Sequence, residues 1–345
     1  MSAMPATPPS PILPSRSHDR RSMRCLLAVP AVRQEFFQKA ADSDTDALFL
    51  DLEDSVFPEQ KLAARANAAR ALNEVAWKDK RVLVRTNALD TEWAFRDIEH
   101  LGGNCHRLDG FLVPKVGSVD DLRYVEALLS ALDRERPPDR ALELHILIET
   151  AIGMARVEAI LEAARRVVSV SFGVGDYSLS LGGQDRLVGG SNREYVVLTD
   201  APFDAPAGAI RDAHWNDQWH YALARVANAC HAFQVMPIDG PFGNIADPRG
   251  FAAAAARARV LGYEGKWAIH PSQIGLANQA HTPNSEEVIW AHAVIAALDA
   301  AQRAGKGAVA LNGQLLDIAH RKIANRILAR AGDVPEVSDH VANPV

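Results

Sequence analysis

From Arg24 onward the chain alternates short, unbroken apolar runs with stretches of helical period. The runs are CLLAV (25–29), ALFLDL (47–52), RVLVRTN (81–87), GFLVPKV (110–116), LHILIET (144–150), VVSVSFG (167–173), QVMPID (234–239) and KWAIHP (266–271). Continuous runs, as opposed to an in–out alternation, mark strands buried on both faces of a parallel sheet. Between them the apolar spacing predicts helices over 59–74, 119–132, 154–166 and 251–261, the last stopped at Gly262. Eight such βα units predict an α/β chain folded as a (β/α)8 TIM barrel.

Three further segments frame this barrel, which the pattern places at 22–275. Residues 1–21 carry five prolines between Pro5 and Pro14 and no apolar period, which predicts a disordered tail. The prolines also argue against an amphipathic targeting helix. The connection at about 177–219, with glycines at 182, 183, 189 and 190, prolines at 202 and 206, and Trp215 and Trp219, is long enough to predict a functional loop. Residues 276–345 predict a helical lid: one helix over 285–304, capped by Ser285, with Glu286 and Glu287 in its first turn and Gly305 as its stop, and a second over 314–331 with Leu316, Ala319, Ile323 and Ile327 on one face.

Composition narrows the function. Lys+Arg 37 against Asp+Glu 43 gives a net charge of -6 over 345 residues, with no concentrated basic face, which excludes nucleic acid as an expected partner. No apolar run approaches the roughly 18 residues of a membrane span, so no membrane is expected either. Cys25, Cys105 and Cys230 are an odd number without paired spacing, which predicts neither disulfides nor a zinc knuckle and suits a reducing, cytoplasmic setting.

Active sites of such barrels lie at the C-terminal ends of the strands. Asp51, Glu53 and Asp54 follow the second strand, Arg85 and Asn87 end the third, Lys115 the fourth and Glu149 the fifth; Asp176 follows the sixth, and Asp239 and His270 end the last two. Six acids converging on one mouth repel one another unless a cation neutralises them, and oxygen donors without cysteine or paired histidine favour Mg²⁺ over zinc. The competing reading is a rim network in which the acids pair with Arg85, Lys115 and Lys61. Arg85 suits bidentate capture of a carboxylate, or a pairing with Asp51 or Glu53. His270 reads by residue type as a core histidine. Asp317 lies near a helix start, where an acid ordinarily compensates the helix dipole.

The strings DLEDSV (51–56), RTN (85–87), VPKV (113–116), IETAIG (148–153), FGVGDY (172–177) and GKWAIHPSQI (265–274) resemble, in order, the citrate lyase β-subunit-like or HpcH/HpaI aldolase superfamily, over about residues 22–330. HWNDQWHYALARVANAC (214–230), IDGPFGNIADPRGF (238–251), GKGAVALNGQLLD (305–317) and the long insertion are similar to the malyl-CoA and β-methylmalyl-CoA lyases within it. The resemblance implies Glu149 and Asp176 as Mg²⁺ ligands, with Mn²⁺ as a substitute. It implies Arg85 and the backbone of Gly175 and Asp176 as the hold on an α-keto acid carboxylate. Asp51, Glu53 and Asp54 become supporting groups, hydrogen-bonded to Arg85 or to waters. Arg33 and Lys39 match contacts to coenzyme A phosphates, and Ile269 and His270 lie along the acyl-CoA arm. Asp317 matches a catalytic acid on a segment that closes over a neighbouring subunit of a homo-oligomer, a trimer or hexamer.

The implied reaction is reversible cleavage of an acyl-CoA thioester, L-malyl-CoA or β-methylmalyl-CoA, to acetyl-CoA or propionyl-CoA and glyoxylate. Its rivals are a malyl-CoA thioesterase, a citramalyl-CoA lyase or citrate lyase β-like enzyme, and a non-catalytic acyl-CoA-binding protein. Two positions depart from the family pattern. Ala31 stands where the first strand usually ends in Pro-Gly, and Ala88 where a glycine is common. Both bear on loop shape and acyl preference, not on a reacting group.

Overall fold

The computed structural model describes residues 21–183, 187–192, 194–200, 204, 206, 208 and 210–332. Residues 1–20 of the tail expected over 1–21, Pro202 in the insertion and residues 333–345 lie outside them. Eight parallel strands close a barrel: β1 (Cys25–Pro30), β2 (Ala47–Asp51), β3 (Arg81–Arg85), β4 (Gly110–Val113), β5 (Glu143–Ile148), β6 (Val167–Phe172), β9 (Met236–Asp239) and β10 (Gly265–Ala268). β6 pairs directly with β9, because β7 (Val196–Leu198) and β8 (Ala213–Trp215) form a separate antiparallel hairpin inside the insertion. The connection expected as one long loop therefore contains a hairpin, and Trp219 anchors it by donating its indole N–H to Gly190 O at 3.0 Å.

The strands read as apolar throughout because each faces two cores. Leu26, Ala47, Phe49, Leu83, Leu112, Leu147, Ile238 and Trp267 fill the barrel interior with Met23. The alternate positions, such as Leu48, Leu50, Val82 and Val84, face the surrounding helices. Those helices are α1 (Phe37–Asp42), α2 (Lys61–Glu74), α3 (Ala94–Asn104), α4 (Val119–Leu132), α5 (Ala151–Ala155), α6 (Val157–Ala163), α7 (Val174–Ser180), α8 (His220–Ala232), α9 (Pro248–Val260) and α10 (Ile274–His281). The helix expected over 154–166 is thus two short ones that meet at Arg156. Arg21, expected in the tail, donates to Asp109 at 3.2 Å.

The C-terminal segment builds a small core of its own. α11 (Ser285–Arg303) and α12 (Ile318–Ala331) bury Ala291, Val294, Leu298, Ala324 and Leu328 together with Leu316. The cap of α11 is Asn284, not Ser285: its side chain accepts from Glu287 N–H while the Glu287 carboxylate accepts from Asn284 N–H. The second helix starts at 318 instead of 314, because β11 (Val309–Leu311) and β12 (Gln314–Leu316) form a two-residue hairpin around Asn312 and Gly313, both at positive φ. The apolar face expected on it is shifted accordingly, with Ile323 half exposed and Ala324 and Leu328 buried.

Candidate active site

The register that pairs Asp51 with Arg85 on adjacent strands sets the first half of the mouth. Arg85 donates from Nε to Asp51 Oδ1 at 2.7 Å and from Nη2 to Asp51 Oδ2 at 2.8 Å, a bidentate pair. Its Nη1 lies 2.9 Å from Glu53 Oε2 and 3.4 Å from Asp54 Oδ2. The guanidinium is buried beside the rings of Phe49 and Trp267. Burial works against the Asp51 carboxylate, yet the Arg85 charge and hydrogen bonds hold it below its ordinary range. The pairing with Asp51 and Glu53, one of the two readings of Arg85, is therefore formed.

The second half is built on Lys115. Its Nζ donates to Glu53 Oε1 at 2.5 Å and lies 3.6 Å from Asp54 Oδ1 and 3.9 Å from Asp176 Oδ1. Its backbone sits in the left-handed region at φ 54, a conformation costing on the order of 1 kcal/mol for a side-chain-bearing residue. That conformation aims the Lys115 N–H at Glu149 Oε1, 2.9 Å away. Glu149 is 2% exposed at the end of β5. Burial first, then the Glu53 charge, and further Asp176, push its carboxyl well above the usual carboxylate range. Gly173 leaves the space for it, because a β-carbon there would stand 2.3 Å from Glu149 Oε2. Asp176 follows in the first turn of α7.

Five carboxylates (Asp51, Glu53, Asp54, Glu149, Asp176) thus share Arg85 and Lys115. Glu149 is a buried carboxyl without a salt-bridge partner within reach among the described residues, and the one ion-pair contact of Asp176 among them is Lys115 at 3.9 Å. Among the described residues no group of three or more His, Cys, Asp or Glu is arranged to hold a metal. The donor set fits an ion held by two carboxylates with water and ligand oxygens completing its shell, which is the habit of Mg²⁺.

Asp239 does not join this cluster, contrary to its placement at the mouth: its Oδ2 accepts from Lys266 Nζ at 2.6 Å, and that buried pair satisfies both. Lys61 binds the carbonyls of Leu52 and Glu53, both at 2.8 Å, in place of the expected acids. Arg33 and Lys39 are exposed and flank the Phe36 ring at 4.7 and 5.7 Å, with Arg33 also paired to Glu35. Ile269 is 40% exposed, and His270 is exposed rather than a core residue, capping the following turn through its bond with Ser272 N–H. Asp317 is exposed and is the N-cap of α12, accepting from Ala319 and His320 N–H groups and bonding the His320 ring at 2.8 Å. Its recorded bonds all lie within that first turn. Lys115, read from the sequence as the polar end of the fourth strand and a partner of the acids, stands among them; Gly173 was not singled out, although a glycine at a strand-to-helix turn was a usable signal.

The model of the family described as HpcH/HpaI aldolase/citrate lyase matches residues 24–271. The L-malyl-CoA/β-methylmalyl-CoA lyase of Cereibacter sphaeroides is 40% identical over 90% of this chain and 95% of its own length. A (3S)-malyl-CoA thioesterase of the same organism is 29% identical over 91% of this chain and 96% of its own. The crystal structure of CitE from Mycobacterium tuberculosis in complex with magnesium, acetoacetate and coenzyme A superimposes with a TM-score of 0.68 at 29% identity, covering 90% of this chain and 98% of that one. The barrel, the strand-end acids and the matched span agree: this chain belongs to the HpcH/HpaI aldolase/citrate lyase family.

Proposed function

We propose that the protein is a Mg²⁺-dependent carbon–carbon lyase that reversibly cleaves L-malyl-CoA to acetyl-CoA and glyoxylate, or β-methylmalyl-CoA to propionyl-CoA and glyoxylate. The observation that carries this is 40% identity to such a lyase across nine tenths of the chain, joined to the under-neutralised pair Glu149 and Asp176 at the barrel mouth. Those two carboxylates hold the ion, for which Mn²⁺ substitutes. When bound, it supplies Lewis acidity to the oxygen that alternates between hydroxyl and carbonyl.

The chain's own groups do the rest. Arg85, fixed on one edge by Asp51, exchanges its Nη contacts with Glu53 and Asp54 for the glyoxylate carboxylate, with the amides of Gly175 and Asp176 on the other side. In cleavage the hydroxyl proton leaves to solvent, the C–C bond breaks, and its electron pair becomes the thioester enolate, to which Asp317 returns a proton. In condensation Asp317 removes that proton. Arg33 and Lys39 meet the coenzyme A phosphates, and Ile269 and His270 border the acyl arm. Asp317 reaches the mouth of a neighbouring protomer in a trimer or hexamer; support comes from the exposed apolar residues on either side of it, Leu315 and Ile318. Among the described residues no helix is long and apolar enough to cross a membrane, and the reading places the enzyme in the cytoplasm.

Hydrolysis is the second reading, favoured by the likeness to the thioesterase at 29%. The higher identity to the lyase ranks it below cleavage. The test is incubation of metal-stripped and Mg²⁺-restored protein with malyl-CoA, β-methylmalyl-CoA and citramalyl-CoA, with products identified by mass. Turnover of the first two only after Mg²⁺ return is expected, and undiminished turnover in the stripped protein contradicts the reading. For the shared site, Asp317→Asn and Glu149→Gln subunits mixed by dissociation and reassembly should regain part of the activity; none in verified mixed oligomers refutes it.

A further inference from the structure

We infer that Lys115 is a positioning residue whose ammonium acts as a built-in cation in the acidic mouth, keeping Glu53, Asp54 and Asp176 from binding a second divalent ion beside the first. The inference rests on the reading of Glu149 and Asp176 as the mount of one Mg²⁺. The Lys115 Nζ donates to Glu53 at 2.5 Å and lies in ion-pair range of two more carboxylate oxygens, of Asp54 at 3.6 Å and Asp176 at 3.9 Å. The farthest belongs to Asp176, which also faces the proposed Mg²⁺ position. In two-ion sites the metals stand about 3.5–4 Å apart, and Asp176, 3.9 Å from the ammonium, is the one carboxylate that would border both positions.

The charges lead to the same point. Asp51 uses both oxygens on Arg85, which leaves Glu53, Asp54, Glu149 and Asp176. Four carboxylates match two divalent ions, whereas with the lysine present they match one ion and one ammonium, with a single negative charge to spare. The backbone of the same residue serves the first ion's ligand, because the N–H held at φ 54 donates to Glu149 Oε1. One residue therefore sets Glu149 with its amide and blocks the neighbouring position with its side chain.

The amide and the ammonium can be separated. Lys115→Gly keeps the N–H, accepts positive φ without strain and removes the charge; Lys115→Met removes the charge on a chain of similar length; Lys115→Arg keeps it. Full-length oligomers of the four proteins are titrated with Mn²⁺ alone, the free ion being read by its electron paramagnetic resonance signal. One bound ion per protomer is expected for the wild type and Lys115→Arg, and two for Lys115→Gly and Lys115→Met. One ion in all four overturns the role of Lys115 and leaves the single-ion reading standing. No bound ion in any of them removes that reading, and this inference with it.

Discussion

Gly173 separates the packing of the site from its chemistry, and Gly173→Ala perturbs one carboxylate. The added β-carbon would lie 2.3 Å from Glu149 Oε2, 2.5 Å from its Cβ and 3.1 Å from its Cδ. The nearest of these falls about 1 Å short of van der Waals contact, and because Cβ is fixed to the backbone, Glu149 must move as a whole, backbone included, by roughly that amount. A misplacement of about 1 Å in a positioned group costs around 100-fold in turnover. Overpacking on this scale also costs about 1–3 kcal/mol of stability. The assay is kcat/KM for malyl-CoA cleavage beside the thermal midpoint, with Gly275→Ala as the control, since a β-carbon there meets nothing within 4 Å. A folded Gly173→Ala protein with wild-type kcat/KM and unchanged Mg²⁺ affinity refutes the placement of Glu149 in the metal mount.

Asp317→Asn should abolish turnover while leaving the thermal midpoint near that of the wild type, because asparagine caps a helix as well as aspartate; Asp317→Ala should lose activity and also the cap, lowering the midpoint in denaturant titration. Arg85→Lys should be nearly as inactive as Arg85→Ala, since an ammonium cannot keep the pair of bonds to Asp51 and also offer two parallel bonds to the glyoxylate carboxylate, and a lysine variant with unchanged glyoxylate affinity shows that Arg85 only braces the barrel. His281 is buried, and burial first, then the positive charges of Lys266, Arg330 and Arg259, hold its pKa down to about 3. The unfolded chain takes up a proton near pH 6.5 that the folded one refuses, so stability is full above that pH and falls by up to roughly 1.4 kcal/mol per unit as pH drops toward 3. His281→Asn should flatten that slope in denaturant titrations at pH 4–7, and an unchanged slope contradicts it.

The barrel strands were legible because a strand buried on both sides writes an unbroken apolar run, as Leu48 to Leu50 do between two cores. The acids at their C-terminal ends were legible for the same reason, since Asp51 and Glu149 stop those runs. Partner choice was not. Asp239 and Glu149 end strands alike, yet only the structure shows that Lys266, on the neighbouring strand, neutralises the first. The left-handed backbone of Lys115 carries no mark in the sequence, since nothing about lysine favours positive φ. The Asn312–Gly313 hairpin was a missed signal of another kind: a turn dipeptide that the period of the following helix obscured, although it ends the strand at Leu316 and leaves Asp317 as a cap.

The central claim, that the C–C bond breaks and the thioester survives, is tested most directly by following both products of malyl-CoA in one Mg²⁺-containing reaction. Glyoxylate is trapped as its phenylhydrazone while free coenzyme A is counted with a thiol reagent. One glyoxylate per malyl-CoA consumed, with acetyl-CoA formed and no free thiol above the enzyme-free control, is the expected result. One free thiol and one malate per substrate, without glyoxylate, would contradict the claim and make the protein a thioesterase.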